Sequence, residues 1–327
     1  MKTAIVILNW NGKKLLEQFL PSVNHYSKRA DIFVIDNAST DDSIAFLRSN
    51  YPNIGIIQNK ENYGFAGGYN QGLKSIEADI YCLLNSDVQV TSGWLEPIVE
   101  LFRDDQIAVV QPKILSYHNP SFFEYAGAAG GFLDNFGYPY CRGRVFWTLE
   151  EDTGQYDDEI QIFWATGACF FIRSVDFWDQ GGFDKRFFAH MEEIDLCWRL
   201  NNAERKIFYT GKSSVYHVGG GTLSNSPNKT YLNFRNSLWM LVRNLPTYKI
   251  IPVVFSRMIL DGITALVFWR YEGFGHFLAI LKAHFSFYAK LGTYFKSRNN
   301  PGKKFWKHKF VPWQYFILGR KKISDLE

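Results

Sequence analysis

The sequence predicts an α/β domain with a mostly parallel sheet flanked by helices, followed by a C-terminal helical extension. Three observations predict it. Apolar, strand-like runs alternate with helix-like segments in the N-terminal part; several of these runs end in a carboxylate or an amide; and the charge changes sign near residue 240. Strands alternating with helices imply a parallel sheet. Open sheets of that kind bind ligands at the C-terminal ends of their strands.

The elements follow in order. Ala4-Ile-Val-Ile-Leu8 is a buried strand, and Asn9-Trp-Asn-Gly12 is the polar turn after it. Ile32-Phe-Val-Ile35 is a second strand, ending in Asp36. A helix is expected next, capped by Ser39 or Thr40, with Asp41 and Asp42 in its first turn. A short third strand near Ile54 to Gln58 leads to a run rich in Gly and Asn, Asn62 to Gly72. Leu83-Leu84 closes a fourth strand on Asn85-Ser86-Asp87. An amphipathic helix from about Trp94 to Phe102 and a fifth strand near Ala108 to Val110 complete the pattern.

Asn85-Ser86-Asp87 puts a carboxylate and an amide at the mouth of the sheet. Mg²⁺ and Mn²⁺ prefer such oxygen ligands and bridge them to substrate phosphates; the alternative is an ordinary turn or helix cap. His217 follows the strand-like Ser213-Ser-Val-Tyr216 and precedes a Gly-rich turn, and an imidazole ligand suits Mn²⁺ better than Mg²⁺. Glu192-Glu193-Ile194-Asp195 crowds three carboxylates at the start of a helix. Their mutual repulsion raises at least one pKa, which suits a proton acceptor. Gly64 and Gly67 are two residues apart, so the Gly-rich run is not a dinucleotide-binding GxGxxG.

Composition supports a sizeable core, with 46% hydrophobic and 17% aromatic residues. The four cysteines (Cys82, Cys141, Cys169, Cys197) form no CxxC and read as reduced thiols of a cytoplasmic protein. The apolar run at the start is too short for a signal peptide. Residues 1–240 hold 21 Lys+Arg and 28 Asp+Glu, a net of −7; residues 241–327 hold 15 and 4, a net of +11. The basic part is also apolar and aromatic, but Arg257, Asp261 and Arg270 interrupt it before the roughly 18 uninterrupted residues of a spanning helix. Helices lying on the inner face of the cell membrane are expected, with Lys303, Lys304, Lys307, Lys309, Arg320, Lys321 and Lys322 extending the basic surface. The alternative is a helical cap over the core. No nucleic-acid-binding motif accompanies the basic tail.

The chain resembles a family 2 glycosyltransferase with the GT-A fold, of the branch that includes bacterial rhamnosyltransferases. The resemblance rests on Val6-Ile-Leu-Asn-Trp-Asn-Gly12, Val34 to Ser43, Asn62 to Asn70, Leu83 to Val88, Gly167 to Ile172, Gly181 to Phe188, Glu192 to Arg199 and His217-Val-Gly-Gly-Gly-Thr222, in the family's order over roughly residues 1–245. It implies a nucleotide-diphospho-sugar transferase domain at 1–230, with a nucleotide-binding half at 1–112 and an acceptor-binding half at 113–230. Residues 231–327 are then the helical, basic, membrane-associating region.

The resemblance also implies roles. Asp87, from the DxD-type motif, and His217 bind a divalent metal, Mn²⁺ or Mg²⁺; Asn85 stands where many relatives carry a first Asp. Glu193 is the base by motif position, with Glu192 and Asp195 beside it, and Asp195 is expected to orient the helix start and pair with Arg199. Asn9, Asn11, Asp36, Asn62, Gly67, Asn70, Asn85 and Ser86, with Asp87, contact the nucleotide-sugar. Read from the residues themselves, the aromatic, Gly-rich stretch 113–165 is an insertion over the sugar site and Trp164, Thr166, Gly167 and Asp184 shape the acceptor pocket; the alternative, core packing, explains most of them equally well. The expected activity is inverting transfer of a hexosyl or deoxyhexosyl unit, such as rhamnosyl, from a UDP- or dTDP-sugar to a glycan or lipid-linked acceptor in surface polysaccharide synthesis. The alternatives are a sugar-phosphate nucleotidylyltransferase, which would want a basic Gly-rich loop after the first strand, and a non-catalytic glycan-assembly scaffold.

Overall fold

The computed structural model describes residues 1–219, 226–298 and 310–326. The chain starts with β1 (Thr3–Asn9), α1 (Lys13–Tyr26), β2 (Asp31–Asp36), α2 (Ser43–Asn50), β3 (Gly55–Gln58), α3 (Gly64–Gly72) and β4 (Ile80–Leu84). Next come β5 (Val88–Val90), α4 (Glu96–Leu101) and β6 (Ile107–Ser116). Four short strands follow, β7 (Gly131–Leu133), β8 (Pro139–Cys141), β9 (Arg144–Val145) and β10 (Thr148–Leu149). Then come β11 (Glu159–Ile162), β12 (Cys169–Arg173), α5 (Ser174–Asp179), α6 (Glu192–Asn202) and β13 (Lys206–His217). The C-terminal part is helical: α7 (Pro227–Asn244), α8 (Thr247–Tyr271), α9 (Phe274–Lys296), α10 (Val311–Phe316) and α11 (Ile323–Leu326).

The main sheet has the order β11-β13-β6-β12-β4-β1-β2-β3, with β5 added against β13. From β4 to β3 every pairing is parallel. β12 enters from the opposite direction, between β4 and β6, and pairs antiparallel with both. The sheet is therefore mixed. β1 reads as an unbroken apolar run because helices cover both of its faces. Ala4 and Val6 join the core under α3, α6 and α7, while Ile5 and Ile7 join the core under α1, α2 and α4.

One expectation needs correction, the cap of α2. α2 starts at Ser43, later than expected, and neither Ser39 nor Thr40 caps it. Asp41 instead accepts hydrogen bonds from the backbone of Ser43 and Lys13, and Ser39 is drawn to Asn9 and Asp36. The boundary expected at residues 112 and 113 falls inside β6, and the one at 230 and 231 falls inside α7. A single sheet and a single helix bridge the expected divisions. The stretch 113–165 carries a second, four-stranded sheet, β10-β9-β8-β7, that docks on α10. Phe146 and Trp147 pack against Phe316 with ring centroids 4.9 and 5.4 Å apart, and Asp134 accepts from the Val311 backbone at 3.0 Å.

α8 has the length and apolarity to cross a membrane by composition alone. It also buries Arg257 and Asp261 against the rest of the protein. The basic residues Lys303, Lys304, Lys307 and Lys309, and residues 220–225 of the Gly-rich turn after His217, lie outside the described residues.

Candidate active site

The ends of β1 and β2 lie side by side, Asn9 opposite Asp36. Asn9 Nδ2 donates to Asp36 Oδ1 and to Ser39 Oγ, both at 3.1 Å, and the Ser39 backbone donates to Asp36 Oδ2 at 3.0 Å. Asn11, at φ 51°, donates its backbone N–H to Ser39 Oγ and accepts from the Thr40 backbone with its side chain. Asn9 Oδ1 is buried without a hydrogen-bond partner. It sits where a Gly12 side chain would stand, because a Cβ there would come within 2.5 Å of it. The strand ends thus form a buried polar floor with one open acceptor, and Trp10 beside it is 55% exposed.

Three predicted nucleotide contacts have structural duties. Asn70 grips the Phe183 backbone through both side-chain atoms, at 2.6 and 3.0 Å. Asn62 Oδ1 accepts from Asn37 and from the Gly64 backbone. A Cβ on Gly67 would meet Tyr63 Cβ at 2.9 Å, so helix packing alone requires glycine there. Asn37, which the sequence reading missed, is the hub that ties Asn59, Asn62 and Gly64 together.

Asp87 and His217 meet at the other side of β4. β5 pairs with β13 so that Val88 faces His217, and the Val218 backbone donates to Asp87 O at 3.1 Å. Asp87 Oδ1 is 3.2 Å from His217 Nε2, and Asn85 Nδ2 is 3.5 Å from the same nitrogen. On the far side of the ring, Nδ1 is 3.1 Å from Glu124 Oε2. Glu124 was not foreseen. It is buried, held by the Ala126 backbone, and closed in by Gly219, whose Cβ would stand 2.4 Å from it. Burial disfavours the imidazolium, but hydrogen bonds donated by the ring to the carboxylates of Asp87 and Glu124 outweigh it and push the His217 pKa up to about 10.

The donor set fits a divalent cation. Apart from the His217 ring, Asp87 Oδ1 has no hydrogen-bond donor. Ligand atoms at right angles around one octahedral ion stand about 3 Å apart, close to the observed Asp87–His217 spacing. Glu124 on Nδ1 is the carboxylate that fixes the tautomer of a ligating histidine. Among the described residues no group of three or more His, Cys, Asp or Glu side chains could hold the ion by itself. The protein offers two ligands plus Asn85, an arrangement usual for ions that also bind substrate phosphates.

The loop before α6 is strained. Phe188, His190 and Met191 have φ of 65°, 69° and 70°. Such residues persist only where their surroundings over-determine them. Here α7 does so: Asn236 Nδ2 donates to the carbonyls of Phe187, Ala189 and His190 at 2.8–3.0 Å, and Arg235 reaches those of Arg186 and Phe187. From the other side, Phe188 O accepts from Phe65 N at the start of α3. The loop delivers Glu192 and Glu193 to the first turn of α6, each with Oε2 unpartnered. Burial raises Glu193 to about 7. Burial, and then the charge of Glu193, raises Glu192 well above the usual carboxylate range. Burial lowers His190 to about 4, so its ring is neutral.

Asp195 is fully buried and committed elsewhere. It accepts from Arg199 at 2.9 Å, Arg243 at 3.0 Å and Asn244 at 2.8 Å. Removing it takes the carboxylate partner from buried Arg199 and leaves Arg243 with Asp184 alone, so Asp195→Ala should lose about 3–5 kcal/mol of stability in a denaturant titration. Unchanged stability with lost activity would instead make Asp195 part of the chemistry. Of the predicted acceptor residues, Asp184 is held by Arg186 and Arg243, and Trp164 is buried with its indole N–H on Phe132 O. Thr166 spans Gln111 and Ala168. Gly167 lies against the Phe65 ring beside the Asn85 backbone, which donates to Ala168 O.

The model of the family described as glycosyl transferase family 2 matches residues 4–181. The chain is similar to the N-acetylglucosaminyl-diphospho-decaprenol L-rhamnosyltransferase of Mycobacterium tuberculosis (strain ATCC 25618 / H37Rv), 24% identical over 243 residues, 68% of this chain and 78% of that protein. It is also similar to the low-salt glycan biosynthesis hexosyltransferase Agl10 of Haloferax volcanii, 22% identical over 71% of this chain and 73% of that one. Among solved structures it resembles GalNAc-T7 with UDP, GalNAc and Mn²⁺, at TM-score 0.59 and 18% identity over 76% of this chain; the match spans 49% of the GalNAc-T7 chain. It likewise resembles the mannosyltransferase PcManGT from Pyrobaculum calidifontis with GDP-Man and Mn²⁺, at TM-score 0.55 and 11% identity, covering 88% of this chain and 87% of that one. The architecture is the GT-A fold expected from the sequence.

Proposed function

The chain belongs to glycosyl transferase family 2, and from that membership we propose that it moves a hexosyl or deoxyhexosyl unit from a UDP- or dTDP-sugar to a glycan or lipid-linked acceptor, with inversion, at the inner face of the cell membrane. The observation that carries the proposal is the facing pair of Asp87 and His217 at the sheet mouth, 3.2 Å apart. The mycobacterial relative is by name an L-rhamnosyltransferase acting on N-acetylglucosaminyl-diphospho-decaprenol, which supports a lipid-linked acceptor and surface polysaccharide synthesis.

Each residue has a task. Asn9, Asn11 and Asp36 present the polar floor to the base and ribose, with Asn9 Oδ1 open to accept an N–H. Asn85, Ser86 and Asp87 lie beside the diphosphate. A divalent cation held by Asp87 and His217 would supply positive charge to the leaving diphosphate. Glu193 accepts the proton of the acceptor hydroxyl. The hydroxyl oxygen bonds to the anomeric carbon from one face as the bond to the diphosphate oxygen breaks on the other, so the configuration inverts. Glu192, its carboxyl held well above the usual range by burial and then by the charge of Glu193, stands beside that base at the start of α6.

The test is a thermal-shift panel with UDP, dTDP, GDP and CMP, each with Mn²⁺, Mg²⁺ or EDTA. A nucleotide at about 100 times its Kd should stabilise the fold by about 2.7 kcal/mol. A metal-dependent shift confined to UDP or dTDP is expected. No shift with any nucleotide, from folded protein, would overturn the proposal.

A further inference from the structure

α8 is built inside out. Tyr248, Ile251, Phe255, Ile259, Leu266 and Trp269 form one stripe along its solvent side, with Ile251 80% and Phe255 66% exposed. At 1.5 Å per residue the stripe runs about 32 Å. The opposite side carries the charges. Arg257 is buried, donating to Phe136 O at 3.0 Å and Ser237 Oγ at 2.8 Å, with its guanidinium 3.8 Å from the Tyr138 ring. Asp261, also buried, lies 3.3 Å from His284. A helix facing water on its outer side shows the reverse pattern.

α9 repeats the arrangement. Phe274, Leu278, Leu281, Phe285 and Tyr288 are exposed at helical spacing, while His276 is turned inward onto Thr230. The two stripes join at the hairpin, where the rings of Trp269 and Phe274 are 5.6 Å apart. The combined surface far exceeds the few hundred Å² of contiguous apolar patch that soluble monomers expose. Arg270, Lys282, Lys290 and Lys296 are exposed on the same hairpin, against one exposed acid, Glu272.

We propose that the α8–α9 hairpin seats the protein on an anionic lipid bilayer, both helices lying in the plane of the headgroups with their apolar stripes dipped beneath. This deepens the membrane setting named above and rests on that part of the proposed function alone. These basic residues select a bilayer over a second copy of the chain, since two such sets would repel. The Arg257–Asp261 stripe sets the in-plane orientation. A crossing α8 would have to carry both charges into hydrocarbon or tear them from Phe136, Ser237 and His284, and charges at the bilayer centre are strongly disfavoured.

The test is co-flotation of the full chain with vesicles of phosphatidylcholine alone and of phosphatidylcholine with phosphatidylglycerol. The exposed-position variant Ile251→Ser/Phe255→Ser/Leu266→Ser and the variant Lys282→Glu/Lys290→Glu are run alongside. The wild type should float with anionic vesicles and leave them at high salt or on an alkaline wash. Both variants should bind at least tenfold more weakly while keeping the wild-type nucleotide shift. Retention through the alkaline wash would indicate a crossing helix and overturn the in-plane seat. Equal flotation of the wild type and the serine variant would overturn the hairpin's role. A wild-type dimer that the serine variant makes monomeric, with no vesicle binding by either, would assign the face to a second copy. Vesicle binding without any nucleotide shift would sink the transfer reading and leave the seat standing.

Discussion

Glu193→Gln should lower kcat by about 10²–10⁴-fold while leaving the nucleotide-induced thermal shift intact. The substitution keeps the shape of the side chain and removes its ability to take a proton. Glu193 has its pKa raised to about 7 by burial, so the wild-type rate should climb with pH up to about 7 and level off above it, as the carboxylate becomes fully ionised. The rising limb should vanish in Glu193→Gln. Stability moves the opposite way. A carboxyl with its folded pKa raised above the ordinary 4.5 binds its proton more tightly folded than unfolded. Its stabilising contribution is therefore complete below about 4.5 and is lost as pH rises through about 7. Glu193→Gln should accordingly melt higher than the wild type above pH 7, and the difference should shrink in acid. Glu192→Gln should leave the rising limb in place, because that limb belongs to Glu193; burial and then the charge of Glu193 raise Glu192 well above the usual carboxylate range. Full activity in Glu193→Gln would transfer the base role to another group.

Asp87→Ala should abolish the Mn²⁺-dependent part of nucleotide binding, erasing the shift of about 2.7 kcal/mol expected near 100 times Kd and transfer with it. The ring of His217 would then keep Glu124 at Nδ1 and Asn85 at Nε2. Glu124 gives a graded comparison. Its replacement by Leu removes the acceptor that orients the ring, and loss of such a partner typically weakens metal binding 10–100-fold. Glu124→Gln retains an acceptor oxygen and should fall between Leu and wild type. Titration calorimetry of Mn²⁺ into the protein with UDP reads all three directly, without turnover. Wild-type Mn²⁺ affinity in Asp87→Ala would remove Asp87 from the ligand set.

How much could be read in advance depends on distance along the chain. β1, β2 and β4 were legible because sheet strands covered on both faces must be continuously apolar, and Asn9, Asp36 and Asp87 mark where those runs stop. Glu124 left no such mark. It sits in an aromatic, Gly-rich stretch without period, and its partner His217 is 93 positions away. Asn236 is equally silent, a polar residue in a helix whose targets lie 46 to 49 positions earlier. Asn70 and Asp184 show the converse problem. A polar residue inside a motif gives no sign of the backbone or ion pair it also holds, and the contacts with Phe183, Arg186 and Arg243 become visible only in the fold. The cap of α2 was misplaced because Ser39 has a stronger attraction to Asn9 and Asp36 than to the helix.

The grip of α7 on the loop before Glu192 bears on how such enzymes can be recombined. A chimera that takes its sheet and loop from this chain and C-terminal helices without an asparagine at 236 inherits the left-handed backbone at His190 and Met191 without the amide that holds it. Modularity therefore ends between β13 and α7. Specificity can be exchanged by grafting loops onto the sheet, but Arg235, Asn236, Arg243 and Asn244 must travel with the segment 184–195 as one heritable unit.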